Sequence, residues 1–323
     1  MLAAYAARAD VADPLQALEV GEITASAAPD GWVRVRVRAA ALNHHDVWSL
    51  RGVGLSADRL PMILGCDAAG VADDGREVIV YPVITQPDFA GLDPTHDPGR
   101  SLLSERHPGT LAEYVWVPKA NLVDKPPELT FVEAACLPTA WLTAYRMLFA
   151  QSGLRPGDTV LIQGAGGGVS TACVLLARQA GFRVWVTSRD PERGARAVDL
   201  GAHSAFASGQ RLPERVDAVM EAVGAATWSH SINALRPGGT VVICGATSGD
   251  NPDKAELTKI FFKPLRVLGS TMGSREELVA VARMLVVTGV RPPIDRVLGL
   301  PDAAAGFSAM VDGTLFGKIV IKP

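Results

Sequence analysis

The stretch TVLIQGAGGGVSTACVLLARQAGFRVWVTS, residues 159–188, constrains the fold more than any other part of the sequence. A continuous apolar run leads into a glycine-rich turn, apolar residues at helical spacing follow, and a second apolar run closes the unit. This order predicts strand, turn, helix and strand, as in doubly wound parallel sheets. Glycines at such a turn let the backbone approach a pyrophosphate, whose charge the free N–H groups of the following helix stabilise.

The glycine turn departs from the strict dinucleotide-binding spacing at its last position. A G-x-G-x-x-G pattern beginning at Gly164 ends on Val169, and the related A-x-x-G-x-x-G spacing ends on Ser170. Taken alone, the turn is also consistent with a plain connection between strand and helix. The residues that we expect to bind the cofactor here are Gly164, Gly166, Gly167, Gly168, Val169 and Ser170.

The segment TSRDPER, which follows the second apolar run, indicates which nicotinamide cofactor binds. An NAD site has an acidic residue at this point to accept hydrogen bonds from the ribose. Here Ser188 can donate to a 2′-phosphate, and Arg189 and Arg193 can pair with it through charge-assisted bonds. The segment therefore predicts NADP(H). The alternative is that the arginines are solvated residues at a helix start and that Asp190 serves the ribose.

The rest of the chain shows two different hydrophobic patterns. Up to about residue 120, short alternating segments such as WVRVRVRAAAL predict strands with one wet face, and residues 85–110 predict a long surface loop. From about residue 156, apolar runs alternate with helical segments, which predicts a parallel sheet. A helix near residues 275–287 and a final strand, GKIVIKP, close the chain. The fold class is therefore α/β.

Composition excludes several classes of function. The 31 Lys and Arg nearly balance the 34 Asp and Glu without long runs of one sign, so we expect no nucleic acid partner and no polybasic membrane patch. The first ten residues lack the apolar core of a signal peptide, and glycines interrupt the longest uncharged stretch, so we expect a cytoplasmic protein without a membrane span. The four cysteines are widely spaced, which is typical of reduced, buried thiols.

Seven ordered segments resemble the medium-chain dehydrogenase/reductase superfamily: ALNHHDVWSLRG, LGCDAAG, LPTAWLTAY, VLIQGAGGGVS, LRPGGTVVICGATSG, VLGSTMGS and FGKIVIKP. The resemblance spans nearly the whole chain. It implies a GroES-like β-rich catalytic domain formed by residues 1–139 and 271–323, and a Rossmann NADP(H)-binding domain formed by residues 140–270.

The same resemblance implies that zinc is absent. Zinc alcohol dehydrogenases of the superfamily carry catalytic ligands at places that hold Asn43, Cys66 with Asp67, and Thr139 in this sequence. Amide and hydroxyl groups are poor zinc donors, so only Cys66 remains a good ligand. On extended backbone the neighbours His44 and His45 would point to opposite faces and could not easily bind one ion. The NHHD segment resembles instead the N-x-x-D element of the zinc-free, quinone oxidoreductase-like branch.

This branch implies roles for individual residues. Asn43 is a candidate donor to the substrate oxygen or nicotinamide, Asp46 a support for the loop, and His45 a catalytic residue in the cleft, or else a structural histidine. Trp48 stands where relatives usually have Tyr, which removes a hydroxyl donor. Further candidate contacts to the cofactor are His44, Thr143, Cys244, Gly245, Ala246, Met272 and Lys318. The alternative for Lys318 is an ordinary surface lysine.

A site without a metal must polarise its substrate through hydrogen bonds, which favours acceptors that delocalise the incoming charge. The sequence therefore predicts NADPH-dependent reduction of a small-molecule quinone or α,β-unsaturated carbonyl. The alternatives are a zinc-type alcohol dehydrogenase with atypical ligands, and an NADPH-binding protein without catalysis. A homodimer is expected to form through GGTVVICG as an edge strand.

Overall fold

The computed structural model describes residues 1–24 and 28–323, and the chain divides into two compact units. Unit 1 contains Met1–Ala140 and Ser274–Pro323, and unit 2 contains Trp141–Gly273. The strands of the described residues are β1 (Leu2–Ala6), β2 (Leu18–Glu22), β3 (Trp32–Ala41), β4 (Met62–Ile63), β5 (Asp67–Ala72), β6 (Glu77–Val80), β7 (Val83–Ile84), β8 (Ser101–Leu102), β9 (Tyr114–Pro118), β10 (Leu122–Asp124), β11 (Thr159–Ile162), β12 (Arg183–Ser188), β13 (Ser204–Ala207), β14 (Val216–Glu221), β15 (Leu235–Ile243), β16 (Arg266–Gly269), β17 (Ile294–Gly299) and β18 (Lys318–Lys322).

The α-helices are α1 (His44–Leu50), α2 (Phe131–Ala134), α3 (Leu142–Tyr145), α4 (Gly168–Gln179), α5 (Pro191–Asp199), α6 (Ala225–Ala234), α7 (Leu257–Phe262), α8 (Arg275–Thr288) and α9 (Ala303–Val311). Two π-helical segments, Leu137–Trp141 and Arg146–Gln151, flank α3. Short 3₁₀ turns lie at Pro14–Ala17, Ala57–Arg59, Pro94–His96, Lys119–Asn121 and Leu300–Asp302. No helix of the described residues is both long enough and apolar enough to span a bilayer.

Unit 2 is built around a six-stranded sheet with the order β13-β12-β11-β14-β15-β16. All five strand pairs are parallel, so the expected doubly wound sheet is confirmed. β11 is fully buried, as a central parallel strand should be, because helices cover both faces of such sheets. β16 lies at one edge of this sheet and, among the described residues, pairs only with β15. The expectation that GGTVVICG forms the edge is therefore wrong, because β15 is paired on both sides.

Unit 1 is β-rich. Its larger sheet has the order β10-β6-β5-β3-β18-β17, and β9 also pairs with β3. In β3 the valines Val35 and Val37 are buried while the arginines between and beside them are exposed, which confirms the alternation expected from the sequence. A three-stranded sheet, β2-β1-β4, and the short β7-β8 pair complete the unit.

The last strand joins the two ends of the chain within unit 1. β18 pairs with β3 in antiparallel orientation and with β17 in parallel orientation. Gly317 directly before it has a φ of +99°, and a Cβ there would lie 2.3 Å from the carbonyl oxygen of Pro293. Only glycine fits this turn, and the turn sets where β18 begins and which way Lys318 faces.

One smaller expectation needs correction. The segment 85–110 is not simply a surface loop, because it contains β8 and the fully buried residues Leu103 and Ser104. In unit 2, Phe261 and Phe262 are 64% and 75% exposed, whereas Trp141 is buried.

Candidate active site

The segment 43–46 folds as the start of α1 and not as extended backbone. Asn43 precedes the helix, and its backbone N–H donates to Oδ2 of Asp46 at 2.8 Å. An acidic or amide side chain three residues after the cap is a capping-box arrangement, which the N-x-x-D spacing could have indicated. The argument that His44 and His45 point to opposite faces of a strand is therefore wrong. On the helix His44 is exposed and His45 points into unit 1.

Asp46 connects the start of α1 to the segment before β5. It is fully buried, and its Oδ1 accepts the backbone N–H of Gly65 at 3.1 Å while Oδ2 accepts that of Asn43. Because a buried carboxylate is stable only when its oxygens have donors, these two bonds hold Asn43 and the Gly65–Cys66 segment in fixed register.

Lys318 is buried, so the interpretation as a surface lysine is wrong. Its ammonium donates to the carbonyl oxygen of Leu42 at 2.7 Å, to Oδ1 of Asn43 at 2.6 Å and to Oδ2 of Asp67 at 3.3 Å. Oδ1 of Asp67 accepts from the Thr139 hydroxyl at 2.5 Å. Burial raises the pKa of the Asp67 carboxyl, while the charge of Lys318 and the hydrogen bond from Thr139 oppose this rise.

The second polar cluster of unit 1 joins His45, Cys66 and Glu105. Nδ1 of His45 lies 3.2 Å from Sγ of Cys66, and Nε2 lies 3.1 Å from Oε1 of Glu105. The Cys66 thiol also donates to the carbonyl oxygen of Leu103 at 3.2 Å. Although burial disfavours the imidazolium, Cys66, Asp46 and Glu105 together raise the pKa of His45 well above its ordinary value. Both ring nitrogens are therefore engaged within unit 1.

Glu105 was missed because it lies in the long segment without periodicity. Its Oε2 accepts the backbone N–H of Leu102 at 2.9 Å, and the neighbouring Ser104 is buried with a φ of +69°. A positive φ is strained for serine, so the tight turn at Ser104 is held by its surroundings. No sequence signal marks this turn, because glycine or asparagine is the usual residue there.

Whether a zinc ion fits these residues follows from their contacts. The ammonium of Lys318 already occupies the space between the side-chain oxygens of Asn43 and Asp67. Neither the Asn43 amide nor the Thr139 hydroxyl is a good zinc donor, so zinc does not fit there. Within the part of the chain that the structure describes, His45, Asp46 and Cys66 form the one group whose potential ligand atoms lie close together, all within 4.8 Å. Each of the three already has a hydrogen-bonded protein partner.

In unit 2 the glycine turn leads from β11 directly into α4. Gly164 and Gly166 have φ angles of +78° and +102°, and Gly167 precedes the first helical residue, Gly168. The N–H of Gly164 donates to Oγ1 of Thr187 at 3.1 Å, which ties the turn to β12. Val169 and Ser170 lie in the first turn of α4, whose N–H groups are suited to an anion.

The residues expected to select the cofactor lie at the end of β12 and the start of α5. Asp190 is the N-cap of α5, since its Oδ1 accepts the backbone N–H of Glu192 at 2.9 Å. The Ser188 hydroxyl donates to the carbonyl oxygen of Asp190 at 2.7 Å, and Arg189 is exposed. Nε of Arg193 lies 3.6 Å from Oδ2 of Asp190. The Asp190 carboxylate is thus already bonded as a helix cap.

The remaining cofactor candidates of unit 2 lie in different places. Cys244, Gly245 and Ala246 follow β15, and the N–H of Cys244 donates to the carbonyl oxygen of Glu221 at 2.9 Å. Thr143 is buried in α3, and Met272 is buried with a φ of +50°.

A buried carboxylate that sequence reasoning missed organises the strand ends of unit 2. Glu221, the last residue of β14, is fully buried. Its Oε1 accepts the N–H groups of Val223 and Gly224 at 2.8 and 3.0 Å and the Thr227 hydroxyl at 2.9 Å, and its Oε2 accepts the Ser231 hydroxyl at 2.5 Å. Ser231 also accepts from Gln163, whose Oε1 accepts from Thr187, so one network links the ends of β11, β12 and β14.

Comparison with known proteins follows the two-unit architecture. Residues 29–127 match the model of the alcohol dehydrogenase GroES-like domain, and residues 168–286 match that of the zinc-binding dehydrogenase family. The chain is 30% identical to the zinc-type alcohol dehydrogenase-like protein YogA of Leptosphaeria maculans, over 94% of each chain. It is 26% identical to the crotonyl-CoA carboxylase/reductase of Cereibacter sphaeroides, over 92% of this chain and 81% of that protein.

Two solved structures extend the comparison. A crystal structure of an NAD-dependent alcohol dehydrogenase superposes with a TM-score of 0.91 at 33% identity and covers 100% of both chains. The 2-octenoyl-CoA carboxylase reductase CinF, in complex with NADP and 2-octenoyl-CoA, superposes with a TM-score of 0.90 at 25% identity, over 99% of this chain and 87% of that chain.

Proposed function

Because the chain belongs to the medium-chain dehydrogenase/reductase superfamily of oxidoreductases, we propose that it transfers hydride from NADPH to a quinone or α,β-unsaturated carbonyl without zinc. The observation that carries the proposal is the contact of Lys318 with Asn43 and Asp67, where a side-chain ammonium takes up the oxygens that a metal would need. A conjugated acceptor spreads the charge of the arriving hydride onto its oxygen, where hydrogen-bond donors suffice to stabilise it.

Two relatives support a conjugated acceptor. Crotonyl-CoA and 2-octenoyl-CoA, named for the reductases of Cereibacter sphaeroides and for CinF, are both α,β-unsaturated thioesters. In this protein Asn43 would donate to the acceptor oxygen through its amide nitrogen. Asp46 would hold Asn43 in place through the backbone bond described above.

The start of α5 supports NADPH over NADH. A 2′-phosphate would be bound by Ser188, Arg189 and Arg193, while Asp190 is committed to capping the helix. The NADP complex of CinF is consistent with this choice, whereas the name of the NAD-dependent alcohol dehydrogenase points the other way. The pyrophosphate would lie on the first turn of α4.

The remaining contacts of the proposed cofactor site come from several segments. His44 would approach the phosphates, and Cys244, Gly245 and Ala246 would let the cofactor pass close to the end of β15. Thr143 and Met272 would contact the nicotinamide half. Lys318 would act through Asn43, because its three N–H donors already have acceptors.

The experiment that tests the function measures cofactor oxidation by the purified protein. NADPH and NADH are each mixed with benzoquinone, cyclohexenone and crotonyl-CoA, and NADP⁺ is mixed with a secondary alcohol. We expect NADPH oxidation with at least one conjugated acceptor and no reduction of NADP⁺ by the secondary alcohol. Turnover of the alcohol alone would refute the proposal, and tight NADPH binding without any turnover would favour a non-catalytic role.

A zinc-type alcohol dehydrogenase with atypical ligands is the second candidate, and the grouping of His45, Asp46 and Cys66 favours it. In that case the Glu105 carboxylate would orient His45 from its other ring nitrogen, an arrangement common around metal-bound histidines. Elemental analysis of protein purified without chelators distinguishes the two candidates. A protein without zinc supports the first, and zinc at one equivalent per chain supports the second.

We also propose that the protein is a homodimer formed at the edge of unit 2. β16 leaves one side of its backbone unpaired among the described strands, and Phe261, Phe262 and Val267 beside it are exposed. A second copy would pair this edge and cover the apolar side chains. Light scattering coupled to gel filtration tests this, with Phe261→Asp and Phe262→Asp together expected to give a monomer. A wild-type monomer would contradict the proposal.

A further inference from the structure

We propose that Lys318 is a positioning residue that takes the place of a metal ion, because its ammonium fills the space between Asn43 and Asp67 and fixes which way the Asn43 amide faces. In its kinetic part this inference rests on the proposed function. In its metal-binding part it is independent of any activity.

The contacts of the ammonium account for all three of its protons. Leu42 O, Asn43 Oδ1 and Asp67 Oδ2 accept at 2.7, 2.6 and 3.3 Å, and the Lys318 side chain is only 2% exposed. A buried lysine with three oxygen acceptors is a satisfied cation, so little drives it to move away. An additional divalent ion bound to the same oxygens would lie within a few ångström of this positive charge, in surroundings where repulsion is poorly screened.

The negative charge of Asp67, which a metal would neutralise, is already neutralised by Lys318. Asp67 is fully buried, and it is paired with Lys318 through Oδ2 and with Thr139 through Oδ1. Removal of the ammonium would leave this carboxylate buried without a counter-charge, an unfavourable state that a proton or a bound cation would relieve.

The ammonium also decides the orientation of Asn43. An ammonium can only donate, so the Asn43 oxygen must face it and the amide nitrogen must face away. The nitrogen donates to the carbonyl oxygen of Ala41 at 3.3 Å. Without Lys318 the Asn43 amide could rotate so that its oxygen and nitrogen exchange positions. In that fraction of the protein molecules, Asn43 would no longer present the N–H donor proposed for the substrate.

The fold places Lys318 at this point independently of any ligand. Its backbone N–H donates to the carbonyl oxygen of Pro293 at 2.9 Å, directly after the turn at Gly317. Lys322, four residues further along the same strand, is exposed. It therefore offers a matched control, since Lys322→Met removes a lysine from β18 without touching Asn43 or Asp67.

The metal-binding experiment compares the wild type with Lys318→Met, Lys318→Arg and Lys322→Met. Each protein is titrated with Co²⁺, and cobalt bound by thiolate or carboxylate is followed by visible absorption and by elemental analysis after gel filtration. We expect no stoichiometric cobalt on the wild type, Lys318→Arg or Lys322→Met, and an affinity at least about tenfold higher for Lys318→Met. Equal cobalt affinity of the wild type and Lys318→Met would overturn the inference.

The kinetic experiment uses the conjugated acceptor that the wild type reduces best. For Lys318→Met we expect kcat to fall by about 100-fold, as for loss of one donor to a developing oxyanion, while KM for NADPH stays unchanged. Lys318→Arg should recover part of the loss, because it keeps the charge. A kcat for Lys318→Met within about threefold of the wild type, a change well under 1 kcal/mol, would overturn the positioning role.

If Lys318→Met fails to fold, Asp67→Asn provides a second test of the positioning role. Asp67→Asn keeps the shape of the side chain and removes the charge that holds Lys318, and we expect its kcat to fall as well while KM for NADPH stays unchanged. If kcat of Asp67→Asn equals that of the wild type, the network does not position Asn43. If the wild type reduces no acceptor at all, the proposed function fails, whereas the metal-binding result still decides the role of Lys318.

Discussion

Oδ2 of Asp190 lies 3.6 Å from Nε of Arg193 at the start of α5. The same carboxylate accepts the backbone N–H of Glu192, so helix cap and ion pair share one side chain. An acidic residue held in this way is poorly placed to accept from a ribose hydroxyl. The arginine beside it remains close to where a 2′-phosphate would extend from the end of β12.

Replacement of Arg193 should therefore weaken NADPH binding selectively. For Arg189→Ala with Arg193→Ala we expect KM for NADPH to rise by about tenfold or more, since charge-assisted bonds to phosphate are worth roughly 1.5–3 kcal/mol each, and KM for NADH to stay unchanged. Steady-state kinetics with both cofactors measures this. Arg196→Ala on the same helix serves as the control, and equal changes for NADPH and NADH would contradict phosphate recognition.

Replacement of Glu221 should destabilise unit 2. All four groups around its carboxylate are donors, so Glu221→Gln sets an N–H₂ group against another donor and leaves buried groups unpaired. We expect a loss of about 1–3 kcal/mol in the free energy of unfolding, measured by urea denaturation. Glu214→Gln, which changes an exposed acid, should change it by less than about 0.5 kcal/mol. Equal stability of the two variants would show that the network is dispensable.

Two cysteines should be inert towards alkylation in the folded protein. Burial raises the pKa of Cys136 to about 12 and that of Cys244 to about 12. Because only the thiolate reacts, we expect iodoacetamide at pH values near 8, well below these pKa values, to leave both unmodified while it labels both in guanidinium chloride. Peptide mass spectrometry reads out each site. Rapid labelling of Cys244 in the native protein would contradict its raised pKa.

His107 should make unit 1 less stable as the pH falls. Burial and the charges of Arg59 and Arg106 lower the pKa of His107 below the ordinary histidine value of 6.5, and its ring centroid lies 4.7 Å from that of Trp32. The folded state thus binds the proton more weakly than the unfolded chain. The contribution of His107 to the stability of the folded state is complete above pH 6.5, and it declines as the pH falls from there towards the lowered pKa.

Comparison with His107→Phe tests this prediction, since phenylalanine keeps the aromatic contact and does not titrate. Between pH 7 and pH 5, the range around an ordinary histidine pKa, the wild type should lose more stability than the variant in urea denaturation. NMR titration of the ring gives the pKa directly. A His107 pKa above that of an unstructured histidine would contradict the prediction.

The sequence predicted those parts of the fold that depend on local pattern. The alternation in β3 and the apolar run of β11 with its glycine turn both lie within a few residues of their own signal. Local patterns specify strands and helices because a strand or helix is stabilised first by its own periodic face.

The site depends on contacts that periodicity does not encode. Lys318 and Leu42 are 276 positions apart in the chain, and Asp67 meets Thr139 across 72 positions. Glu105 reaches His45 from a segment whose only signals were Pro, Gly and Asp. The helical start at His44 depends on the cap that Asn43 and Asp46 form, and the expectation of extended backbone did not include this bond.

The position of β18 has a consequence for synthesis of the protein. Unit 2 has its whole sequence available once Gly273 has left the ribosome, whereas the larger sheet of unit 1 has a gap between β3 and β17 until residues 318–322 emerge. During that interval Asp67 has no ammonium partner and the backbone edge of β3 next to β18 is open. The nascent N-terminal segment therefore spends most of translation as an incomplete sheet, and we expect chaperones that shield unpaired strand edges to act on it during this period.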